Sequence, residues 1–537
     1  MATNARLRRP AILAALLFSL FLAALDFSII TTAIPSISYQ LQSHTANVWI
    51  GSAYLLTSAT VAPVWGKAAE IWGRKPALLS SIVLFFVGSA VCGWSRTIAQ
   101  LIAGRAIQGS AAGGIIVLVN ISISDLWDAR HRSMFLATTG IVWAISAGVG
   151  PLLGGVFSEY LTWRWAFWIN LPCCFAAFIV LFFTMSPSEP RSVSAGQSSG
   201  MDWIGTFSIV GVTIMILLSL DFGGVVSPWD SPKVLSLLFG GFGLLAFFIF
   251  WEIKGASSPL IPVHLLNRTS KVSPLLVCFT HGFVNVSSWY FLPVFFQAVR
   301  GASPTRSGVL IMPIVVVQAV TGVAAGAITY QFGWVRPLAW VGMALMTLGF
   351  GLFAIIGTST TLALTVFIEI VAALGVGATF QAPLIAYQSA VGSADIAMAT
   401  ALFGFVRSLS TSISVVIGGV VFQNGMSSQS KHLTNALGAQ LAQNFSGSTA
   451  ATNVLTVHAL PLYQQAVVKK AYVHSLKDMW AMYAAVGGLG LIAALFLRKQ
   501  ALDQSGSEAP ERNPVELVQA TSSPQMDRIP ADGPHAE

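Results

Sequence analysis

Asp26, Arg105 and Glu369 are ionisable residues that lie inside long apolar stretches of the sequence. A charge in such a stretch is costly to bury and is usually retained for a function. A carboxylate that alternates between a cationic partner and water can take up and release a proton, so we interpret these three as candidate proton-coupling residues. The alternative is a static buried ion pair or a polar residue that only packs helices. Arg407 lies in another apolar stretch and needs an acidic or carbonyl partner, for which Glu369 is the available acid.

A second set of polar residues occurs in the later apolar stretches. His281 and Asn285 are four positions apart, so they share one face of a helix, and histidine titrates near neutral pH. With aromatic neighbours they form a possible substrate pocket, to which we assign His281, Asn285, Gln297, Gln381 and Arg407. The alternative is that these side chains satisfy hydrogen bonds inside a packed helix bundle.

The composition excludes most classes of soluble protein. Of the 537 residues, 55% are hydrophobic and 9% are charged, whereas soluble domains carry about 25% charged residues. The net charge of +8 comes from short loops between apolar stretches, so neither a soluble enzyme nor a nucleic-acid binder is indicated. The four cysteines all fall in apolar stretches and suggest neither disulfides nor zinc. We expect no metal and no cofactor.

A helix that crosses a membrane needs about 20 apolar residues, and the sequence contains fourteen such stretches. They are 11–32, 48–65, 77–94, 98–124, 134–157, 165–185, 203–221, 234–251, 273–297, 308–330, 335–356, 361–382, 397–422 and 479–497. We therefore predict an all-α integral membrane protein with fourteen transmembrane helices. In antiparallel order, Asp26 and Arg105 reach a similar depth at about 1.5 Å per residue, which allows a buried pair.

Two glycine pairs indicate an internal repeat. Gly66 and Gly73 precede the third stretch, and Gly326 and Gly333 repeat their spacing before the eleventh. Stretches 1–6 then align with stretches 9–14, which predicts two six-helix halves with two extra central helices, related by an axis along the membrane normal. The predicted parts are an N-terminal segment (1–10), a first half (11–185), a linker (186–202), two inserted helices (203–251), a loop (252–272), a second half (273–497) with a long outer loop (423–477), and a disordered tail (498–537).

Lysine and arginine concentrate in alternate loops, which predicts the orientation of the chain. With the N-terminus inside, most of the 28 Lys and Arg residues lie in cytosolic segments, and an even number of helices places both termini there. Asn444 then begins the one N-glycosylation sequon in a predicted outer loop. We expect a multi-pass protein of the plasma membrane, with the vacuolar membrane as the alternative.

The order and spacing of six motifs resemble a known family. The motifs are 25–35, 66–75, 105–109, 150–155, 163–172 and 291–297. Together they resemble the major facilitator superfamily, specifically its fourteen-span drug:proton antiporters, and among these the fungal pumps that export drugs and self-made toxins. The sequence departs from the pattern at Glu70, where Asp is usual, and at Ser146, which replaces a glycine.

The resemblance implies roles for two motifs. In the loop between helices two and three it implies a latch for the outward-open state, comprising Gly66, Glu70, Gly73, Arg74 and Lys75. The two basic residues would pair with Glu70 or with Asp125 and Asp128; alternatively, they only orient the chain. In helix five it implies an antiporter motif, comprising Gly150, Pro151, Gly154 and Gly155. Small residues let helices pack closely in lipid, and the alternative is that close packing is their only role.

These observations predict a monomeric secondary active transporter that exports hydrophobic small molecules in exchange for protons by alternating access. The partners are then a small-molecule substrate, protons and the lipid bilayer. The sequence lacks a phosphate-binding loop, so ATP drive is not indicated. The first alternative is proton-coupled uptake, for example of iron–siderophore complexes, and a remote one is a non-transporting membrane sensor. A membrane-bound enzyme is not indicated, because the histidines and acids are scattered.

Overall fold

The computed structural model describes residues 2–41, 46–185, 201–223, 227–450 and 453–498. Within these residues the chain forms nineteen α-helices and no β-strand. The helices are α1 Ala2–Gln40, α2 Ala46–Ile71, α3 Arg74–Trp94, α4 Ile98–Leu126, α5 Ala129–Tyr160, α6 Trp165–Trp168, α7 Asn170–Thr184, α8 Trp203–Phe222, α9 Pro232–Lys254, α10 Thr269–Ala298, α11 Pro304–Leu310, α12 Met312–Phe332, α13 Val335–Phe353, α14 Leu362–Thr379, α15 Ala382–Ser389, α16 Ile396–Ser428, α17 Ser430–Leu437, α18 Ala439–Gln443 and α19 Leu462–Leu495.

Thirteen segments of the described chain are long and apolar enough to cross a membrane. Three of them consist of two consecutive helices each, namely α6 with α7, α11 with α12, and α14 with α15. The helix α2 occupies the position of the predicted second span but is not among the thirteen, so the count of fourteen stays a prediction. Residues 186–200 of the predicted linker and residues 499–537 of the predicted tail lie outside the described residues.

Helices extend into the predicted long outer loop. The sequence predicted spans that end at 422 and begin again at 479, whereas α16 continues to Ser428 and α19 begins at Leu462. The short helices α17 and α18 lie between them. Apolar content defines only the part of a helix inside hydrocarbon, and the polar turns beyond it keep their backbone hydrogen bonds, so the helices extend past the predicted spans.

The helices pack in two bundles with matching neighbours. In the first bundle, α1 packs against α5 and α7, and α4 packs against α2 and α3. In the second, α10 packs against α16 and α19, and α14 packs against α12 and α13. These are the same contacts when the first six predicted spans are aligned with the last six. The bundles meet where α2 contacts α16 and α5 contacts α12. Because α2 corresponds to α12 and α5 to α16 in this alignment, a two-fold axis relates one contact to the other.

The inserted helices α8 and α9 pack against each other beside the contact between the two bundles. The helix α8 touches both α2 and α16, whereas α9 exposes large apolar side chains such as Phe239 and Phe250. Asp202 caps α8 by accepting a hydrogen bond from the Gly205 N–H and another from the Trp251 indole on α9. The insertion therefore covers one of the two seams between the bundles.

Candidate functional site

Asp26 is the centre of a fully buried polar network in the first bundle. Its Oδ2 accepts a 2.5 Å hydrogen bond from Nη1 of Arg105, and both side chains are essentially inaccessible to solvent. Its Oδ1 accepts hydrogen bonds of 2.9 Å from Gln108 Nε2 and from Asn170 Nδ2. The carboxylate on α1 is thus bonded to a cation and an amide from α4 and to an amide from α7. The structure brings the predicted pair of Asp26 and Arg105 together.

Arg105 is positioned by further contacts on all sides. Its Nε donates to the carbonyl of Ile50, and its Nη1 also donates to Oε1 of Gln108. The guanidinium carbon lies 4.3 Å from the centroid of the Tyr54 ring and 5.9 Å from that of Phe167, a geometry for cation–π attraction. Arg105 is therefore held in place even when its bond to Asp26 is broken.

The antiporter motif brings α5 against α1 at one point. A Cβ added at Gly150 would lie 2.0 Å from Oγ of Ser28, so only glycine permits this approach. Ser28 also donates a 2.7 Å hydrogen bond to the carbonyl of Ser146. Gly154 is buried, but a Cβ at Gly155 would meet no atom within 4 Å. The predicted small-residue seam is therefore tight at Gly150, and the inclusion of Gly155 in it was wrong, because that position faces open space.

A cavity of about 160 Å³ lies between the two bundles. Six aromatic rings contribute to its wall, namely Phe27, Tyr54, Trp143, Trp289, Phe380 and Phe403. Its polar wall includes His281, Asn285, Gln381 and Arg407 from the predicted pocket, together with Asn120 and Gln318. Concave, mostly apolar sites with a few placed polar groups are the usual form of small-molecule sites, so this cavity is the candidate substrate site.

Gln297 was wrongly assigned to the pocket. Its Nε2 donates a 2.9 Å hydrogen bond to Oγ of Ser307, and its carbonyl oxygen lies 2.9 Å from Nε2 of His458. Gln297 therefore joins α10 to the helix α11 and to the segment that contains His458, and it does not line the cavity. Apolar sequence around a glutamine indicates that it lies in a helix but not which way the helix turns it.

Arg407 pairs with a carbonyl and not with an acid. Its Nη2 donates to the carbonyl oxygen of Phe380, and its guanidinium carbon lies 4.6 Å and 4.9 Å from the ring centroids of Phe380 and Phe403. The break between α14 and α15 leaves that carbonyl at the negative end of α14, where a cation is stabilised. The predicted pairing of Arg407 with Glu369 was wrong, because the broken helix supplies a nearer acceptor.

Glu369 is buried in α14 without a hydrogen-bond partner for either carboxylate oxygen in the described structure. It is not among the residues that line the cavity. An unpaired buried carboxylate is far less costly when it is protonated. Its position is therefore compatible with a proton-carrying group outside the substrate cavity.

Tyr54 connects the buried network to the cavity. One face of its ring contacts the Arg105 guanidinium, and the same side chain forms part of the cavity wall. Its hydroxyl donates a 2.9 Å hydrogen bond to the carbonyl of Ala23, three residues before Asp26. A molecule that displaces Tyr54 from within the cavity would therefore disturb the partner of Asp26.

The loop between α2 and α3 contains one of the predicted latch contacts. Nε of Arg74 donates a 2.7 Å hydrogen bond to Oδ2 of Asp125, and its Nη1 donates to the carbonyl of Ala69. The predicted contacts of Arg74 and Lys75 with Glu70 or Asp128 do not form, because Glu70 pairs with Lys67 at 3.5 Å and Asp128 with His131. Lys75 donates to the carbonyl of Phe182 instead. Burial raises the pKa of Glu70, and Lys67 opposes that rise.

Further contacts between the bundles occur at the end of the molecule that contains Arg74, which we call the Arg74 side. Gln388 accepts from Arg132 and donates to Oγ of Ser124. Gln381 donates to the carbonyl of Leu136 and to Oγ1 of Thr139. A Cβ at Gly66 would lie 2.2 Å from Cβ of Ala401, so the bundles touch closely there. Gly73, by contrast, adopts φ 89°, which favours glycine and lets the loop turn.

Sequence reasoning missed several partners in these networks. Gln108 and Asn170 donate to Asp26, and Ser89 accepts from Gln108. No pattern in the sequence predicts these contacts of Asn170 and Ser89. Gln108 lies three residues after Arg105, and that spacing on one helix face was the available signal. No pattern in the sequence indicated the contacts that Gln388 makes with Arg132 and Ser124. Asn444 is exposed, as a glycosylation acceptor must be. The described residues contain no cluster of three His, Cys, Asp or Glu that could hold a metal ion.

Comparison with known proteins identifies similar chains along nearly the whole length. The family model described as Major Facilitator Superfamily matches residues 16–415. "Efflux pump dotC" of Dothistroma septosporum is 41% identical over 91% of this chain and 84% of that protein. "MFS-type transporter ppz2" of Metarhizium majus is 38% identical over 93% and 86% of the two chains.

The same architecture occurs in a solved structure of distant sequence. The crystal structure of the human organic anion transporter MFSD10 (TETRAN) gives a TM-score of 0.58 at 14% identity. The alignment covers 90% of this chain and 99% of that one. At this identity the likeness concerns the fold.

Proposed function

Because this chain belongs to the major facilitator superfamily of transporters, we propose that it exports hydrophobic small molecules, such as drugs, toxins or secondary metabolites, in exchange for protons. The chain is a multi-pass membrane protein and a transporter, not an enzyme. The direction of transport is supported by similar fungal proteins, one of which is named an efflux pump. The driving ion and the kind of substrate are the parts that we propose.

One observation carries the proposal: Tyr54 lies between the substrate cavity and the buried pair of Asp26 and Arg105. A proton on Asp26 cancels its attraction to Arg105. Substrate in the cavity contacts Tyr54, which packs on Arg105, so occupancy of the cavity and protonation of Asp26 act on the same side chain. That shared contact provides the differential interaction that coupled transport needs.

The proton gradient is the proposed source of energy for this exchange. One proton that enters down a potential of 100 mV releases about 2.3 kcal/mol, before any pH difference is added. Glu369 is proposed as a second proton-coupling residue, because its buried carboxylate has no hydrogen-bond partner in the described structure. Gly150 would keep α5 tight against α1, so that substrate and protons are exchanged across the membrane without a leak of either.

The contacts of the Arg74 side are proposed as the latch that closes one entrance. Arg74 joins α3 to Asp125 at the end of α4, and Gln388 joins the bundles beside it. We place this side in the cytosol, with both termini, so that the described conformation has its cytosolic entrance closed. Rocking of one six-helix half against the other would break the bonds of Gln388 to Arg132 and Ser124 and expose the cavity to the cytosol, while the bond of Arg74 to Asp125 shapes the closing face of the first half. We propose a monomer in the plasma membrane.

The test is accumulation of a panel of fluorescent hydrophobic compounds in cells that express the protein. Each compound is measured with and without a protonophore, and Asp26→Asn is the matched variant. We expect lower accumulation that is abolished by the protonophore and in the variant. Higher accumulation in expressing cells would reverse the direction and favour uptake. Full proton-driven export by Asp26→Asn would remove Asp26 from the mechanism.

A further inference from the structure

The cavity wall contains several buried polar atoms that have no partner in the described structure. Four are amide oxygens, which accept hydrogen bonds: those of Asn120, Asn285, Gln318 and Gln381. Two are N–H groups, which donate: the indole of Trp289 and Nε of Arg407. The seventh is Nδ1 of His281, whose Nε2 lies 3.0 Å from the carbonyl oxygen of Val376. Leaving a buried polar group unpaired is expensive, and such groups in a native structure call for an explanation. Their collection around one cavity indicates that a ligand completes them.

The distribution of charge in the wall restricts that ligand. Among the described residues that line the cavity, Arg407 is the one charged side chain, and no carboxylate accompanies it. Its guanidinium is held between the rings of Phe380 and Phe403 and fixed by the Phe380 carbonyl, while its Nε is left free. Asp26 and Glu369 are not among the lining residues. The wall therefore attracts an anionic or electron-rich oxygen, whereas a cationic amine would meet the charge of Arg407 with no lining carboxylate to balance it.

The shape of the wall favours a flat ligand. Rings of Phe27, Tyr54, Trp143 and Trp289 face the cavity together with the two phenylalanines beside Arg407. Aromatic rings prefer offset-stacked and edge-to-face contacts with one another. A cavity of about 160 Å³ holds about one or two fused rings.

We propose that the cavity recognises hydroxylated aromatic compounds that are neutral or singly anionic. The phenolic hydroxyls donate to the amide oxygens of Asn285 and Gln318, and an oxygen of the ligand accepts from Arg407. This inference deepens the proposed export function and rests on it for the site's role, although it concerns binding alone. Cationic amphiphiles, which many exporters of hydrophobic drugs must handle, are disfavoured at this site.

The test is the binding of four naphthalene compounds to the purified full-length protein in lipid nanodiscs, measured by isothermal titration calorimetry. The probes are a hydroxynaphthoate, a dihydroxynaphthalene, naphthylmethylammonium and naphthalene itself. We expect the hydroxynaphthoate to bind more tightly than the dihydroxynaphthalene, because its carboxylate pairs with Arg407, and both to bind at least about tenfold more tightly than the other two, as hydrogen bonds to buried groups predict. Equal or tighter binding of the ammonium compound, or no binding by any probe, would overturn the proposal.

Two variants assign the selectivity to residues. Arg407→Met keeps an apolar side chain between the rings and should abolish the advantage of the hydroxynaphthoate over the dihydroxynaphthalene. Gln318→Leu should weaken the binding of the dihydroxynaphthalene and leave the binding of naphthalene unchanged. Gln297→Leu, which alters a glutamine outside the cavity, should change the binding of neither compound. An anion preference that persists in Arg407→Met contradicts the assignment. If Arg407→Met does not fold, the ranking in the unaltered protein decides the proposal.

Binding and transport fail separately in this design. The expected ranking without proton-driven export would preserve the ligand class and reject the exchange mechanism. Export of cationic compounds combined with the reverse ranking would preserve the transporter and reject the ligand class.

Discussion

At the scale of single residues, the described structure gives the two buried acids opposite surroundings. Asp26 accepts hydrogen bonds from a guanidinium and two amides, whereas Glu369 has no partner. Protonation of Asp26 would disturb bonds from three donors, whereas protonation of Glu369 would break no hydrogen bond in the described structure. The two sites are therefore not interchangeable, and we propose that Asp26 is the one coupled to substrate because Tyr54 links it to the cavity.

We predict that the two members of the buried pair differ in their effect on stability. Arg105→Leu leaves the Asp26 carboxylate buried without its cation and should lower the free energy of unfolding by about 3–5 kcal/mol. Asp26→Asn removes the charge that needs the cation and should cost less, since the amide keeps part of the network. The measurement is thermal unfolding of both variants in detergent, followed by tryptophan fluorescence.

The double variant Asp26→Asn/Arg105→Leu serves as the control for that prediction. It should recover part of the stability lost in Arg105→Leu, because no unpaired charge is left. If its loss of stability relative to the unaltered protein equals the sum of the losses in the two single variants, the two side chains are not coupled.

At the scale of elements, two basic residues near the α2–α3 loop allow its role in orienting the chain to be distinguished from its proposed role as a latch. Arg74 and Lys75 are adjacent basic residues, so each contributes equally to the bias that orients the chain. Arg74 is buried and bonded to Asp125, whereas in the described part of the chain Lys75 lies near the surface against the carbonyl and the ring of Phe182. The structure therefore offers a matched pair of positions that differ in packing and not in charge.

We predict that Arg74→Gln reduces export much more than Lys75→Gln does. Loss of Arg74 leaves the partly buried Asp125 without its cation and removes the link from α3 to α4, which makes closure of the Arg74 side less favourable. The measurement is the initial rate of substrate efflux, normalised to the amount of protein at the cell surface. Equal losses in both variants would indicate that the loop only orients the chain.

Much of the element scale was predictable from the sequence, because apolar length and glycine spacing act locally. The position of almost every span followed from them, and so did the buried pair of Asp26 and Arg105. The break between Thr379 and Ala382 was not predicted, although Pro383 at the start of α15 was an available signal, because proline removes a backbone donor and interrupts a helix. That break supplies the carbonyl that binds Arg407, so the error about Glu369 and Arg407 has the same origin. Rotation of a helix about its axis, which excluded Gln297 from the cavity, depends on packing that sequence does not encode locally.

At the scale of the whole molecule, the two bundles meet along two seams that are covered differently. The seam of α2 and α16 is backed by the inserted helix α8, whereas the seam of α5 and α12 relies on direct contacts such as Ser133 with the carbonyl of Gly326. Matching neighbours within each bundle suit a rigid-body motion of one half against the other. The central cavity lies between the halves, where such a motion alternates its access.

The proposed orientation predicts glycosylation of Asn444. Its side chain is exposed between α18 and a following turn in which Asn453 donates to its carbonyl, so the sequon is accessible. The full-length protein from fungal cells should migrate faster on gels after treatment with an N-glycosidase, and Asn444→Gln should migrate like the treated protein. A glycan that persists in Asn444→Gln would contradict the proposed topology.

The most direct test of the account is proton movement in sealed proteoliposomes that contain the purified protein. With no imposed gradient, addition of a transported substrate on one side should drive protons in the opposite direction, as reported by a trapped pH dye. We predict this substrate-dependent proton flux for the unaltered protein and its absence in Asp26→Asn, while substrate binding measured by calorimetry is retained in both. Substrate movement without any proton movement, or an unchanged proton flux in Asp26→Asn, would contradict the central claim.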